Sequence, residues 1–264
     1  MKTTKAILLV SFGCSYLDSK AKTIDQIAAK AKAHFPDYKI YQAWTSKVII
    51  KILKKRERLV IPTIEEAMAA IAADGIESLV VQPTHLINGL ENDVMTETVR
   101  NHAPKNLKLR FGAPLLTSTK DQKAALSAVV QEFSSLSSKE ALVLMGHGTA
   151  HEANSVYAAL DNMLKNMGYP NFFMGTVEAC PDLEDLIRQI SLTDIKKVHL
   201  APFMLAAGEH ANKDMAGEQE NSWKSLFTSA GYEVVCHLKG LGEYENIQEI
   251  YMEHLRQVTD SADD

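Results

Sequence analysis

Short apolar runs alternate along the whole chain with segments whose apolar residues recur at helical spacing. Residues 6–12, 141–145 and 197–202 are three such runs, and residues 24–35 carry apolar side chains on one helical face. This alternation is typical of βαβ units, which build parallel sheets flanked by helices. The sequence therefore predicts an α/β fold.

The same reasoning assigns the remaining elements. A capping-box pattern begins at Thr63, and Gly75 is placed to end that helix. Pro181 stands where a further helix is expected to begin. The predicted strands are residues 6–12, 78–82, 107–112, 141–145, 172–177, 197–202 and 233–237. The predicted helices lie at 24–35, 63–75, from 88, 121–133, 153–167, from 181, 223–230 and 247–258.

The two halves of the chain look like copies of one plan. Residues 8–13 correspond to residues 143–148, and residues 81–89 correspond to residues 200–208, at the same places in each strand order. We expect two similar lobes, each with a parallel sheet flanked by helices, and a cleft between them. The predicted division is an N-terminal lobe of residues 1–136 and a C-terminal lobe of residues 137–264, with the serine-rich segment 134–138 as the hinge.

Composition excludes several classes of protein. The net charge of -5 argues against a general nucleic-acid binder, which needs a basic surface. No apolar run approaches the ~20 residues that cross a bilayer. The three cysteines, Cys14, Cys180 and Cys236, are widely spaced and form no CxxC pair, which favours reduced thiols in the cytoplasm. Lys2 and Lys5, the apolar run after them and Cys14 faintly resemble a lipoprotein signal, but a buried first strand is the simpler interpretation.

Three potential metal ligands come at the carboxyl ends of predicted strands in the second half. His147 lies between two glycines directly after a strand, Glu178 follows the next strand, and His210 comes shortly after a third. Ligands of parallel sheets bind outside these strand ends. Two imidazoles and one carboxylate can form an open divalent site, and histidine also accepts protons near neutral pH. Taken singly, each could be structural.

Further histidines and a basic run remain open to two interpretations. His85 ends a first-half strand and could line the cleft from the opposite side, or be structural. His199 falls inside a strand, which indicates a core residue, whereas His237 and His254 are expected at the surface. The basic run predicts either a solvated helix face or a docking surface for a multiply carboxylated ligand. Its charges are Lys47, Lys51, Lys54, Lys55, Arg56 and Arg58, and its apolar side is Val48, Ile49, Ile52 and Leu53.

Four stretches together resemble the anaerobic sirohydrochlorin cobaltochelatases, which are class II tetrapyrrole chelatases. The stretch 199–211 is the most specific, and shorter matches at 222–224 and 240–243 extend the similarity toward the C-terminus. The similarity covers essentially the whole chain. The four stretches are LLVSFG at 8–13, MGHG at 145–148, VEACP at 177–181 and HLAPFMLAAGEHA at 199–211.

The resemblance implies a tetrapyrrole held between two lobes and metal handling by His147, Glu178 and His210. It further implies insertion of Co²⁺ into sirohydrochlorin or precorrin-2 in anaerobic cobalamin biosynthesis, with no organic cofactor or ATP. Fe²⁺ and Ni²⁺ remain alternatives as the metal. In relatives that handle haem, a residue such as His85 would contact the tetrapyrrole.

Three other functions are weighed against cobalt insertion. A ferrochelatase would act on sirohydrochlorin or a porphyrin, and a haem or tetrapyrrole carrier would bind its ligand without turnover. A metal-dependent hydrolase or isomerase ranks last, because no nucleophile or phosphate-binding loop is recognisable. The expected partners are an acidic tetrapyrrole and a divalent metal ion, without nucleic acid or membrane, and the sequence leaves a homo-oligomer open.

Overall fold

The computed structural model describes residues 4–260, which form two four-stranded parallel sheets. The strand order is β2-β1-β3-β4 in the first sheet and β6-β5-β7-β8 in the second. The second half therefore repeats the strand order of the first, and the predicted α/β class with two similar lobes is confirmed. The strands are β1 (Lys5–Ser11), β2 (Lys39–Trp44), β3 (Ser78–Pro83), β4 (Lys108–Phe111), β5 (Glu140–Gly146), β6 (Phe172–Thr176), β7 (Lys197–Pro202) and β8 (Glu233–Cys236).

Helices connect these strands throughout residues 4–260. Short 3₁₀ turns at Glu152–Asn154 and Leu241–Glu243 and a π-helix at Ala211–Met215 complete the connections. The α-helices are α1 (Leu17–Lys22), α2 (Ile24–His34), α3 (Lys47–Glu57), α4 (Ile64–Ala73), α5 (Leu90–His102), α6 (Thr119–Glu132), α7 (Ser155–Asn166), α8 (Leu183–Ser191), α9 (Trp223–Ser229) and α10 (Glu245–Asp260). Among the described residues, no helix has the length and apolar character that a membrane crossing requires.

Local sequence signals explain where several of these helices begin. The predicted capping box forms at α4, where the Thr63 side chain accepts from the backbone N–H of Glu66 and the Glu66 carboxylate accepts from that of Thr63. Pro181 is not the first helical residue. Instead Asp182 caps α8, because its carboxylate accepts from the Asp185 N–H at 2.9 Å. A capping carboxylate satisfies a helical N–H that has no partner within the helix.

The final helix departs from the predicted lobe division. The prediction assigns α10 to the second lobe, but α10 packs against α2, α6 and β3 of the first. Tyr251 is fully buried there, and its hydroxyl donates to the carbonyl oxygen of Thr84 at 2.8 Å. His254 is also buried rather than at the surface, with Nδ1 2.9 Å from the carbonyl oxygen of Ala113. The apolar face of α10 thus covers the first lobe.

One apolar cluster joins the two lobes. It contains Ile7 and Leu9 of β1 together with Leu142 and Leu144 of β5, and the buried face of α10 belongs to it as well. Burial of apolar surface is the main favourable contribution to folding. The contacts that stabilise each sheet therefore also hold one lobe against the other.

The basic helix forms as predicted, but with a narrower apolar side. In α3, Leu53 is fully buried, whereas Val48 is 67% exposed and Ile52 is 41% exposed. A surface helix buries one stripe of its side chains, and Val48 and Ile52 lie outside that stripe in α3.

Candidate metal centre

Two glycines shape the turn that carries His147. A side chain at Gly146 would overlap the ring of Tyr157, which packs against the end of β5. Gly148 has φ +84°, and a Cβ atom there would lie 2.9 Å from the backbone nitrogen of Ala179. Glycine alone adopts this left-handed conformation without cost. The turn thus brings the chain after β5 close to the chain after β6.

Glu178 is positioned by hydrogen bonds to that turn. Its backbone N–H donates to the carbonyl oxygen of His147 at 2.9 Å, and the N–H of Val177 donates to the same oxygen at 3.1 Å. The far end of the segment is also held, because the Asn154 amide donates to the carbonyl oxygen of Cys180 at 2.8 Å. The backbone of Glu178 is therefore fixed beside His147.

His210 stands at the amino end of the π-helix Ala211–Met215. Its Nδ1 lies 2.7 Å from Oδ2 of Asp214, one helical turn further on. A carboxylate only accepts hydrogen bonds, so Nδ1 carries the hydrogen of the neutral ring and Nε2 has a free lone pair. His147 has the same arrangement, since its Nδ1 lies 2.8 Å from the carbonyl oxygen of Gly148. Both imidazoles therefore offer Nε2 to a metal ion.

The three predicted ligands lie together in the structure. One ligand atom from each of His147, Glu178 and His210 falls within 4.8 Å of the others. The two imidazole rings meet edge to face with centroids 4.8 Å apart, and Nδ1 of His147 is 3.8 Å from Oε2 of Glu178. Ligand atoms around one ion at ~2.1 Å are separated by no more than ~4.2 Å. Small side-chain rotations would thus suffice to bind one ion.

Solvent reaches all three side chains, which leaves coordination positions open. The exposed fractions are 39% for His147, 54% for Glu178 and 32% for His210. Nitrogen and oxygen donors with open positions suit a divalent transition metal that must also meet a second ligand. A metal ion here could therefore be passed to a molecule entering from the cleft.

The first lobe contacts the second on both sides of this set. The Tyr16 hydroxyl lies 3.3 Å from Oε2 of Glu209, the residue before His210. On the other side, Nε2 of His151 lies 3.7 Å from Oδ2 of Asp93 in α5. These contacts place the carboxyl ends of the first-lobe strands opposite the metal-ligand set.

His85 lies at the end of β3 but is not part of the set. Both of its ring nitrogens are shielded from solvent and have no hydrogen-bond partner among the described residues. Burial lowers the pKa of His85 to about 4, so the ring is neutral at physiological pH. Its predicted contact with a tetrapyrrole stays a prediction.

His199 is a core residue, as its place inside a strand predicted. It is buried, with Nε2 3.2 Å from Oε1 of Glu140 and Nδ1 3.0 Å from Nε2 of His237. These neighbours satisfy both of its ring nitrogens. His237 is half-buried against this pair, which differs from the surface position that we predicted.

Asp214 is the functional candidate that sequence reasoning missed. The signal was present, because His210 and Asp214 are four residues apart, a spacing that brings side chains together on a helix. A carboxylate on the second ring nitrogen fixes the tautomer of a metal-binding histidine and raises its basicity. Asp214 is therefore placed to orient the ring of His210.

Replacing Asp214 by alanine is expected to weaken Co²⁺ binding by about 10- to 100-fold, because His210 loses the group that orients its ring. Calorimetric titration of the metal-free protein with Co²⁺ measures this change. The matched control is Glu218→Ala, which removes an exposed carboxylate paired with Lys224. If both variants bind Co²⁺ with equal affinity, Asp214 contributes only its negative charge and does not orient His210.

The fold is that of the chelatases. It superposes on the structure of SirB from Bacillus subtilis with Fe³⁺ at a TM-score of 0.69, covering 98% of this chain and 97% of that one at 15% identity. The chain belongs to the cobalt chelatase family CbiK, whose pattern matches residues 5–260.

Two relatives are similar to this chain in amino-acid sequence. The sirohydrochlorin cobaltochelatase of Salmonella typhimurium is 37% identical over 258 residues, which cover 98% of this chain and 97% of the relative. The sirohydrochlorin cobaltochelatase CbiKC of Nitratidesulfovibrio vulgaris is 28% identical over 265 residues, covering 99% and 93%. The chain is thus similar to these enzymes over nearly its whole length.

Proposed function

We propose that this protein inserts Co²⁺ into sirohydrochlorin. The main support is the set of two imidazoles, each with a free Nε2, beside a carboxylate at the strand ends that face the cleft. Membership in the cobalt chelatase family and the names of both curated relatives support the same metal and tetrapyrrole. The proposal places the macrocycle between the two lobes, beside this set.

The residues of the set divide the chemistry between them. Insertion needs a metal bound near the ring and a base for the two pyrrole protons that the metal replaces. His147 and His210 would hold Co²⁺ and accept these protons, because neutral imidazole is both a ligand and a base near pH 7. Glu178 would complete the site and offset part of the positive charge. Either histidine could take the first proton.

We propose that the two lobes also distort the macrocycle. A flat ring keeps its nitrogens in plane, whereas a bent ring directs their lone pairs toward an incoming ion. Contacts away from the ring centre can stabilise such a distortion at the expense of binding affinity. The apolar cluster that joins the lobes supports this role, since its contacts hold one lobe against the other.

The choice of Co²⁺ rests on the relatives and not on the donor atoms. Sites of nitrogen and oxygen donors favour cobalt over iron, but they favour nickel and copper more strongly still. Metal supply in the cell would therefore decide which ion is inserted, and Fe²⁺ and Ni²⁺ belong in the same assay.

The test is an anaerobic absorbance assay of purified protein with sirohydrochlorin and Co²⁺, with Fe²⁺ and Ni²⁺ in parallel. We expect many molecules of cobalt product per molecule of protein. A spectrum that shifts once, in proportion to the protein added, would instead indicate a tetrapyrrole carrier. Faster insertion of iron than of cobalt would overturn the metal assignment.

We also propose a cytoplasmic location, supported by the three free cysteines. Reduced thiols are typical of cytoplasmic proteins. Fractionation of cells that express the full chain tests this, and recovery in an extracytoplasmic fraction would contradict it.

A further inference from the structure

A cavity of about 230 Å³ lies beside the carboxyl end of β4, outside the metal-ligand set. One wall is the polar face of α5, and the opposite wall is the chain that follows β4. Three of its polar lining residues recur every four positions along α5, which places them in one row on the helix, and Asn88 lies just before the helix begins. These residues are Asn88, Asn92, Thr96 and Arg100, and the apolar lining includes Met95, Phe111 and Pro114.

Arg100 brings an uncompensated positive charge to this cavity. Its guanidinium group stacks over the ring of Phe111, 4.8 Å from the ring centroid. Among residues 4–260, no carboxylate oxygen lies within ion-pair distance of Arg100. Stacking on an aromatic face holds a guanidinium in place and leaves its edge N–H groups available. The Arg100 guanidinium group thus offers oriented donors that no carboxylate of the described residues accepts.

The cavity lies at the carboxyl edge of the first sheet, on the face that carries Met95 and Phe111 and not on the face that packs toward the second lobe. The chain after β4 runs beside the end of β3, because the N–H of Leu115 donates to the carbonyl oxygen of His85 at 3.0 Å. The other wall, α5, reaches the second lobe through the contact between Asp93 and His151. His151 follows the candidate ligand His147 by four residues. The amino-terminal part of α5 is therefore the part of this wall that contacts the lobe carrying the metal-ligand set.

We propose that this cavity binds a carboxylate on a short carbon arm, with Arg100 as its cationic partner. The paired N–H groups of a guanidinium match the two oxygens of a carboxylate, while Met95 and Phe111 contact the carbon arm. One source of this group is the rim of the tetrapyrrole, which carries acetate and propionate side chains; this part rests on the proposed function. The other source is a free small carboxylate.

The test compares Arg100→Gln with Arg110→Gln. Arg110 lies on β4 beside Phe111, so its side chain points to the opposite face of the sheet, and it is absent from the cavity lining. Titration of each protein with metal-free sirohydrochlorin, followed by absorbance, gives the dissociation constant. We expect Arg100→Gln to weaken binding about tenfold, as loss of a charged hydrogen bond does. Arg110→Gln should match the wild type within about twofold.

A second titration, with propionate alone, separates the two sources of the carboxylate. Propionate binding that is lost in Arg100→Gln, together with unchanged sirohydrochlorin affinity, would support a site for a free carboxylate and overturn the tetrapyrrole source. Unchanged binding of both ligands in Arg100→Gln would overturn the proposal. Because these titrations contain no metal, failure of the wild type to insert cobalt would count against the proposed function alone.

Discussion

Replacing His147 or His210 by alanine is expected to abolish cobalt insertion. Each change removes one of two imidazoles that stand 4.8 Å apart, and with it both a metal ligand and a proton acceptor. Loss of a positioned proton acceptor alone costs about 10²- to 10⁴-fold in rate, and loss of the ligand adds to this. Initial rates in the anaerobic sirohydrochlorin assay, at saturating Co²⁺, measure the effect.

Both variants should fold normally, because both side chains are about a third exposed. Changes at such positions usually alter the free energy of unfolding by no more than about 0.5 kcal/mol. The matched control is His102→Ala, an exposed histidine at the end of α5 that bonds only within its own helix. Full activity in both His147→Ala and His210→Ala would refute the site.

Replacing Gly148 by alanine is expected to damage both stability and activity. The new side chain must adopt φ +84°, and its Cβ atom would press on Ala179 and Thr176 at 2.9 Å. A non-glycine residue held in this conformation costs about 1–3 kcal/mol. The pressure also displaces the segment that carries Glu178, so we expect cobalt insertion to fall by about 10²-fold, the cost of a ~1 Å misplacement.

Gly168→Ala separates these two effects. Gly168 has a similar φ of +91°, but nothing lies within 4 Å of the position that its Cβ atom would take. Urea unfolding should show that the strained backbone lowers the free energy of unfolding by a similar amount in both variants. Gly148→Ala alone should show a further decrease, because only its Cβ atom presses on neighbouring atoms. If both variants retain full insertion activity, the close packing of Gly148 against Ala179 and Thr176 is not needed to position Glu178.

The sequence was enough to predict the fold class, and the three residues that it predicts as metal ligands lie together in the structure. Apolar residues dominate the buried strands β5, β6 and β7, and such runs can be recognised without tertiary information. His147, Glu178 and His210 were found because each comes just after such a strand. The carboxyl ends of parallel strands lie at one edge of the sheet, so residues that are far apart in the sequence can be neighbours in space.

Features that depend on tertiary packing were not predictable in this way. Strand β2 was missed because its burial is incomplete, with Lys39 and Gln42 exposed. The pairing of Asp214 with His210 needed a helix at that point, and the prediction assigned none. The position of His254 followed from the return of α10 to the first lobe, and helical periodicity reveals an apolar face but not the surface that it covers.

The return of α10 has a consequence for synthesis on the ribosome. The first sheet is complete once residue 111 has been made, yet the groove between α2 and α6 stays uncovered until residues 245–260 emerge. Until then, the nascent first lobe exposes apolar surface, the state in which chains associate wrongly. Only after α10 docks can the two halves of the cleft take their final positions, so competence for catalysis waits for a helix made long after the sheet that it covers.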